Sequence, residues 1–378
     1  PIPRPGAAHP NVVLITIDTV RADHVSLYGG KAKMPALAAL GKKAAVFDRA
    51  YSPGNVTRRS LPTVATGLSP RRIRGRIAGW ALRMDPRHIL VAERFRAGGY
   101  DTAGFFCCRS HFGRDHKLGL IRGLEYVGIE YKGKPLTDKA IAWLQKRGSA
   151  TRPLFMWTHF IEPHNWHKDY KPQDGARRKK DRYNLSLQDT DKFLGELVRG
   201  VQEKLGENTI IVITADHGEG LGDHGSAHHS GGMFNSEIRV PLVIAGPGIA
   251  TARIKQAVGL VDLAPTLLDL AGFEAPGMPQ MDGLSIAPTL RGEVKDKLGV
   301  GEAYSVMMAD RSVQENQSAI MSGRYKLIER EGSKYQLYDT SRDPREEKDI
   351  LDEAPSELVE SMKARLTRRR VIDRVSAF

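Results

Sequence analysis

The sequence predicts an α/β fold: a central, mostly parallel sheet, helices on both faces, and a small C-terminal α+β subdomain. Three observations carry that expectation. Short apolar runs alternate with amphipathic segments, the pattern of strands buried on both faces by crossover helices. Two amphipathic segments stop at a glycine, as helices commonly do. After about Gly292 the texture changes to paired strand-like runs and one charged helix.

Taken in order, Pro1, Pro3, Pro5 and Pro10 mark residues 1–10 as a linker cut from a longer precursor. An upstream anchor or signal therefore stays open. Residues 12–17 form a continuous apolar run with one threonine, and 154–157, 210–214 and 240–245 are similar. Leu187, Leu194, Val198, Val201 and Leu205 fall on one face of a helix over 187–205, which Gly206 ends. A second helix spans 262–271, closed by Gly272. Residues 318–329 and 334–338 read as antiparallel strands joined by a turn at Glu331-Gly332-Ser333. A last helix covers 355–370, with Glu357 and Glu360 at its positive end, arginines at its negative end, and Leu358, Met362 and Leu366 as its stripe. The division is a linker at 1–10, a catalytic domain at 11–293 and a subdomain at 294–378.

Of 378 residues, 40% are hydrophobic and 27% charged, ordinary for a globular protein. No apolar run is long enough to span a membrane. Cys107 and Cys108 are adjacent, too close for ordinary disulfide geometry, and read as core residues. The formal charge is +13. Basic residues cluster at Arg71, Arg72, Arg74 and Arg76, again from Arg177 to Arg182, and again from Arg365 to Arg374. Such clusters are either solvated surface or attractors of an anionic substrate or lipid surface. They lack interleaved aromatics, which argues against specific nucleic-acid binding.

Three polar segments follow strand-like runs, where open α/β sheets gather their ligands. Asp18 closes the first run. A carboxylate there suits a metal ion or, equally, a helix cap. Asp216 and His217 open the second segment, and His228 and His229 lie just beyond. An oxygen and an imidazole together suit Zn²⁺ or Mn²⁺ better than an all-oxygen cage. The third segment, His159-Phe160-Ile161-Glu162-Pro163-His164, puts His164 on a loop stiffened by proline.

Together these blocks resemble the sulfatase branch of the alkaline-phosphatase superfamily over residues 10–370. The blocks are NVVLITIDTVRADHVSLY at 11–28, ITADHGEGLGDHG at 213–225, Arg239-Val240-Pro241-Leu242, VDLAPTLLDLAG at 261–272, Arg324-Tyr325-Lys326-Leu327, and Leu337-Tyr338-Asp339 with Asp343-Pro344. The resemblance implies a three-layer sandwich and a divalent metal, with Ca²⁺ or Mg²⁺ open beside Zn²⁺ or Mn²⁺. It implies an anionic ester substrate, lipid- or glycan-linked, and an extracytoplasmic or periplasmic location, with the chain as the soluble part of a membrane-anchored protein as one form.

The chain departs from the family at its nucleophile. Sulfatases carry Cys-x-Pro-x-Arg or a serine version, whose first residue becomes formylglycine. Counting back from Thr66-Gly67 puts Thr57 at that position, followed by Arg58 and Arg59, with neither the proline nor the arginine of the motif. Threonine cannot become formylglycine by that route but can attack as an alkoxide. In this it is similar to phosphoethanolamine and phosphoglycerol transferases and nucleotide pyrophosphatases of the superfamily. The resemblance implies a metal site of Asp18, Thr57, Asp216 and His217. Thr19 and His217 stand where sulfatases have an aspartate and an asparagine. It implies a covalent Thr57 intermediate and a preference for phosphate over sulfate esters. His164 and His229 would stabilise charge, hold a second, weaker metal or protonate the leaving oxygen, and Arg58 or Arg59 would clamp an anionic group. Two rivals stand: a true sulfatase using Ser60, and a catalytically degenerate anion-binding member. Specificity is expected in loops 101–126 and 168–183, where His111 and His116 come within reach of the site.

Overall fold

A computed structural model describes residues 9–78, 81–113, 118–147, 152–171, 178–273, 281–293, 301–309, 315–331 and 334–375. The strands are β1 (Asn11–Ile17), β2 (Ala45–Tyr51), β3 (Gly75–Ala78), β4 (Ala81–Met84), β5 (Asp101–Phe106), β6 (Tyr126–Ile129), β7 (Leu154–Phe160) and β8 (Thr209–Ala215). They continue with β9 (Arg239–Val240), β10 (Leu242–Ala245), β11 (Ala252–Gly259), β12 (Glu302–Met307), β13 (Gln317–Ser322), β14 (Tyr325–Arg330) and β15 (Lys334–Asp339).

Among the described residues the main sheet has nine strands, in the order β11-β2-β10-β8-β1-β7-β5-β6, with β9 paired to β2 beside that path. Strands β8, β1, β7, β5 and β6 are parallel, and β11 is parallel to β2. Strand β10 is antiparallel to both β8 and β2, so β2 points the same way as β1. The carboxyl ends of β1, β2, β7 and β8 therefore open on one edge. Strand β1 is buried at every position after Asn11, and β7 and β8 along their whole length. Unbroken burial without alternation means helices cover both faces.

Three predicted elements change shape. The run at 240–245 breaks into β9 and β10 at Pro241, which has no N–H for a ladder; its carbonyl accepts from Thr214 Oγ1 at 2.8 Å. Residues 318–329 are not one strand but most of the β13–β14 hairpin, turned at Gly323 with φ of 53°. The helix expected at 187–205 begins at Lys179 and runs to Leu205. Its first turns are charged and lack an apolar stripe, yet they bury Tyr183 and Asn184, so tertiary contact extends it where periodicity is silent. Gly332 and Ser333 of the expected turn lie outside the described residues.

Strands β12 to β15 form a second, antiparallel sheet. One face packs on Tyr51, Met233, Phe234 and Ile238 of the main body. The other buries Val359, Met362 and Leu366 of the helix Ser356–Val375. Among the described residues no helix is long and apolar enough to cross a membrane.

Candidate active site

The carboxyl edge of the main sheet gathers the three polar segments. Asp18 follows β1, Asp216 follows β8, and His159 is the penultimate residue of β7, in register with Thr16. The ladder continues one step past the strands: Asp18 N–H donates to Phe160 O at 2.9 Å and Asp216 N–H to Ile17 O at 3.2 Å. That extra step sets the two carboxylates side by side.

Thr57 arrives from β2 through residues 52–56. Val56 is extended, and Thr57 is the first residue of the helix Thr57–Thr66, which Gly67 ends at φ of 69°. Neighbours fix this approach. Ser305 Oγ donates to Ser52 O at 2.6 Å, Val306 N–H donates to Pro53 O at 2.8 Å, and Asn55 Nδ2 donates to Glu237 Oε2 at 2.8 Å. The first-turn amides of a helix carry a positive field, and Thr57 stands in it.

All four residues expected around a cation meet here. Thr57 Oγ1 lies 3.2 Å from His217 Nε2 and hydrogen-bonds the Asp216 carboxylate. His217 Nε2 is 3.6 Å from Asp18 Oδ1 and 3.6 Å from Asp216 Oδ2. Asp216 Oδ1 accepts from Thr19 N–H at 3.2 Å and His217 N–H at 2.8 Å. To supply its N–H, Thr19 takes φ of 57°, a conformation costly for a β-branched residue and typical of functional sites. Tyr183 holds it there, donating its hydroxyl to Thr19 O at 2.6 Å.

His159 joins this group, a partner that the sequence reading did not assign because the β1–β7 register, not sequence spacing, brings it beside Asp18. The clue was present: a histidine inside an unbroken apolar strand, at its carboxyl end. Thr16 Oγ1 donates to Thr158 O at 3.3 Å, so it accepts from His159 Nδ1 at 2.8 Å and from Trp157 Nε1 at 2.9 Å. The Nε2 lone pair then faces Asp18 Oδ2 at 4.0 Å. Likewise His217 Nδ1 donates to Gly218 O at 2.9 Å, and its Nε2 lone pair faces inward.

Asp18 Oδ1, Asp216 Oδ2 and His159 Nε2 are buried without a hydrogen-bond partner. Ligating atoms of Asp18, His159 and Asp216 lie within 4.8 Å of one another. Burial, and next the charge of Asp216, push the Asp18 carboxyl well above its ordinary range; burial also raises Asp216. Burial holds His159 down to about 4 and His217 well below the usual imidazole range. Two crowded carboxylates and two neutral imidazoles with inward lone pairs fit a divalent cation, which would supply each group's missing partner.

A second tier of side chains borders this centre. The His229 ring lies 4.7 Å from that of His217 and 5.3 Å from that of His164. His229 Nδ1 is 3.7 Å from the buried Glu219 Oε1. Burial would lower the His229 pKa, but Glu219 outweighs it and raises it. His164 is lowered, by burial and then by His229. Arg58 and Arg59 are half-buried in the first helical turn. Ser60 is wholly buried and accepts from Ser52 Oγ at 3.1 Å. His111 is close enough for its charge to bear on His159; His116 lies outside the described residues.

The sulfatase family profile matches residues 10–273, and the profile "N-sulphoglucosamine sulphohydrolase, C-terminal" matches 222–371. The chain belongs to the sulfatase family and is an enzyme of it. It is 25% identical to the Delta 4,5-hexuronate-2-O-sulfatase of Bacteroides thetaiotaomicron, over 90% of this chain and 84% of that one. With the choline-sulfatase of Rhizobium meliloti it shares 31% identity over 46% of this chain and 33% of that protein. Two solved structures share the fold. A 2-O GAG sulfatase superposes with a TM-score of 0.80 at 22% identity, covering 97% of this chain and 93% of that one. The phosphonate monoester hydrolase of Agrobacterium radiobacter does so with 0.75 at 18% identity, covering 98% and 96%.

Proposed function

We propose that this enzyme cleaves an anionic ester, phosphate in preference to sulfate, through a covalent intermediate on Thr57. The observation that carries the proposal is the position of Thr57 Oγ1, 3.2 Å from His217 Nε2 at the start of a helix. Asp18, Asp216, His159 and His217, with the Thr57 hydroxyl, would hold a divalent cation, and their mixed oxygen and nitrogen donors favour Zn²⁺ or Mn²⁺. Bound there, the cation would supply Lewis-acid charge stabilisation and a lowered hydroxyl pKa.

The residues divide the remaining work. Thr57 Oγ, as the alkoxide, forms a bond to phosphorus as the ester P–O bond breaks. His229, kept protonated by Glu219, gives its proton to the leaving oxygen. His164, kept neutral, donates one hydrogen bond to a non-bridging oxygen. Two histidines with pKa values pushed apart are suited to two roles. Water then attacks phosphorus, His229 takes back a proton, and Thr57 is released. A threonine sulfate lacks the hemiacetal exit open to formylglycine, which supports phosphorus as the centre attacked. The substrate class is a glycan-linked ester. In support, one relative is a hexuronate-2-O-sulfatase, one structural neighbour is in complex with its substrate D-glucosamine-2-N,6-O-disulfate, and this chain carries +13.

The test is a metal-replete assay against a phosphomonoester, a phosphodiester and a sulfate ester, run beside Thr57→Ala. Expected are phosphoester turnover, a phosphorylated Thr57 peptide after acid quench, and loss of about a thousandfold or more in the variant, as for removal of other covalent nucleophiles. Undiminished activity of Thr57→Ala would remove Thr57 from the reaction. Formylglycine at residue 60 would transfer the role to Ser60.

A further inference from the structure

The two loops that supply His164 and His229 supply a second histidine pair. His167 lies three residues past His164, on the short helix Trp166–Asp169, and His228 directly precedes His229. The inner rings, His164 and His229, are 5.3 Å apart; the outer rings, His167 and His228, are 5.0 Å apart. The backbone turn is fixed. The His228 carbonyl accepts from Gly220 N–H and Ser226 Oγ, Ser230 takes φ of 80°, and Gly231 N–H is held by Glu237 at 3.0 Å. Adjacent residues thus face opposite ways, one into the centre and one outward.

Trp166 lies against the outer pair, its ring 5.6 Å from His167 and 6.1 Å from His228. Its indole N–H donates to Glu219 at 3.4 Å. The Arg182 guanidinium stacks on its ring at 5.3 Å. Lys168 and Lys171 add positive charge around His167. Glu219, which already pairs with His229, also bears on His167. His228 is exposed, and His167 Nδ1 has no hydrogen-bond partner. The positive charge of Arg182, Lys168 and Lys171 near this pair disfavours a metal ion there and favours an anion.

We propose that His167 and His228 form an oxyanion-binding annex that holds a second anionic group of the substrate. The substrate of the Thr57 centre would then be a doubly charged molecule, an ester with a further sulfate, phosphate or carboxylate nearby. That substrate assignment rests on the Thr57 proposal; the annex as an anion site does not.

Histidine-labelled full-length protein, loaded with metal, is titrated with inorganic sulfate, inorganic phosphate and acetate while imidazole NMR signals are followed. Saturable shifts of His167 and His228 with at least one anion are expected, unchanged in Thr57→Ala, and the His167 shift is lost in His228→Gln. In steady-state assays, His167→Gln/His228→Gln should raise KM about tenfold for N-sulfoglucosamine 6-phosphate, the loss of one hydrogen bond to a charged group. The KM for N-acetylglucosamine 6-phosphate and both kcat values should hold. No saturable shift with any of the three anions, or zinc binding at this pair in their place, overturns the annex. An equal KM change for both sugars overturns its substrate role. Failure of the Thr57 proposal instead shows as activity surviving in Thr57→Ala with the shifts intact.

Discussion

Thr16 shows how far single side chains set this centre. Its hydroxyl lies between Trp157 Nε1, His159 Nδ1 and Thr158 O, and so turns the His159 Nε2 lone pair inward. Groups that orient a metal ligand typically change affinity 10–100-fold when removed. Thr16→Val keeps the shape and loses the hydroxyl, and should weaken cation binding by about that factor, read by competition against a fluorescent chelator. As the proposed proton donor, His229 would set the pH dependence. Its pKa is raised by Glu219 above the ordinary 6.5, so the His229–Glu219 pairing contributes fully below 6.5 and is lost as pH rises through the raised value. Activity that needs protonated His229 should fall over the same interval. Glu219→Gln should move that alkaline limb to lower pH in kcat against pH; an unmoved limb assigns the proton to another group.

Among elements, the second sheet acts as a clamp on the main body. Strand β12 holds the 52–53 segment through Ser305 and Val306. Strand β14 carries Lys326, which pairs with Glu346 at 2.6 Å with both side chains wholly buried. Asn235 joins them: Lys326 Nζ donates to Asn235 Oδ1 at 3.2 Å, and Asn235 N–H to Glu346 Oε2 at 2.6 Å. This knot ties the small sheet to the helix Asn235–Ile238, whose Glu237 in turn holds Asn55 and Gly231 on either side of the centre. Removing one partner of a buried pair strands the other charge, at a cost of about 3–5 kcal/mol. Lys326→Met should lower unfolding free energy by that amount in denaturant titration. Adding Glu346→Gln should recover part of it.

A cation held at the proposed site would act on the whole molecule through the crowded carboxylates. Without one, Asp18 and Asp216 have raised pKa values, so between the ordinary 3.8 and those values these two carboxyls bind more protons in the native state than in the unfolded chain. The carboxyl contribution to the stability of the chelator-treated protein therefore rises as pH falls into that window, the reverse of a salt-bridged carboxylate, while His159 and His217, held below the ordinary 6.5, oppose it there. The cation-loaded protein should lack this gain, because the ion takes the protons' place. Thermal melts at pH 5 and pH 7, with and without chelator, read both effects; re-addition of Zn²⁺ or Mn²⁺ should restore the higher melting temperature at pH 7.

The buried strands β1, β7 and β8 were legible in the sequence because burial on both faces demands uninterrupted apolar runs, and Asp18, Asp216 and His217 because polar residues there break such a run at its carboxyl end. Thr57 was legible only by its count from Thr66-Gly67 in the family's pattern, since a threonine in a polar loop carries no signal of its own. His159 was read as part of a segment but not as a partner of Asp18, because register between β1 and β7, not sequence spacing, brings them together. The β13–β14 turn, the early start of the Lys179–Leu205 helix and the paired placement of His167 with His228 were likewise decided in three dimensions. Local pattern determines which segments are strands and where polar groups leave them. Which of those groups meet depends on strand order and loop path, contacts between residues far apart in the chain that no local periodicity encodes.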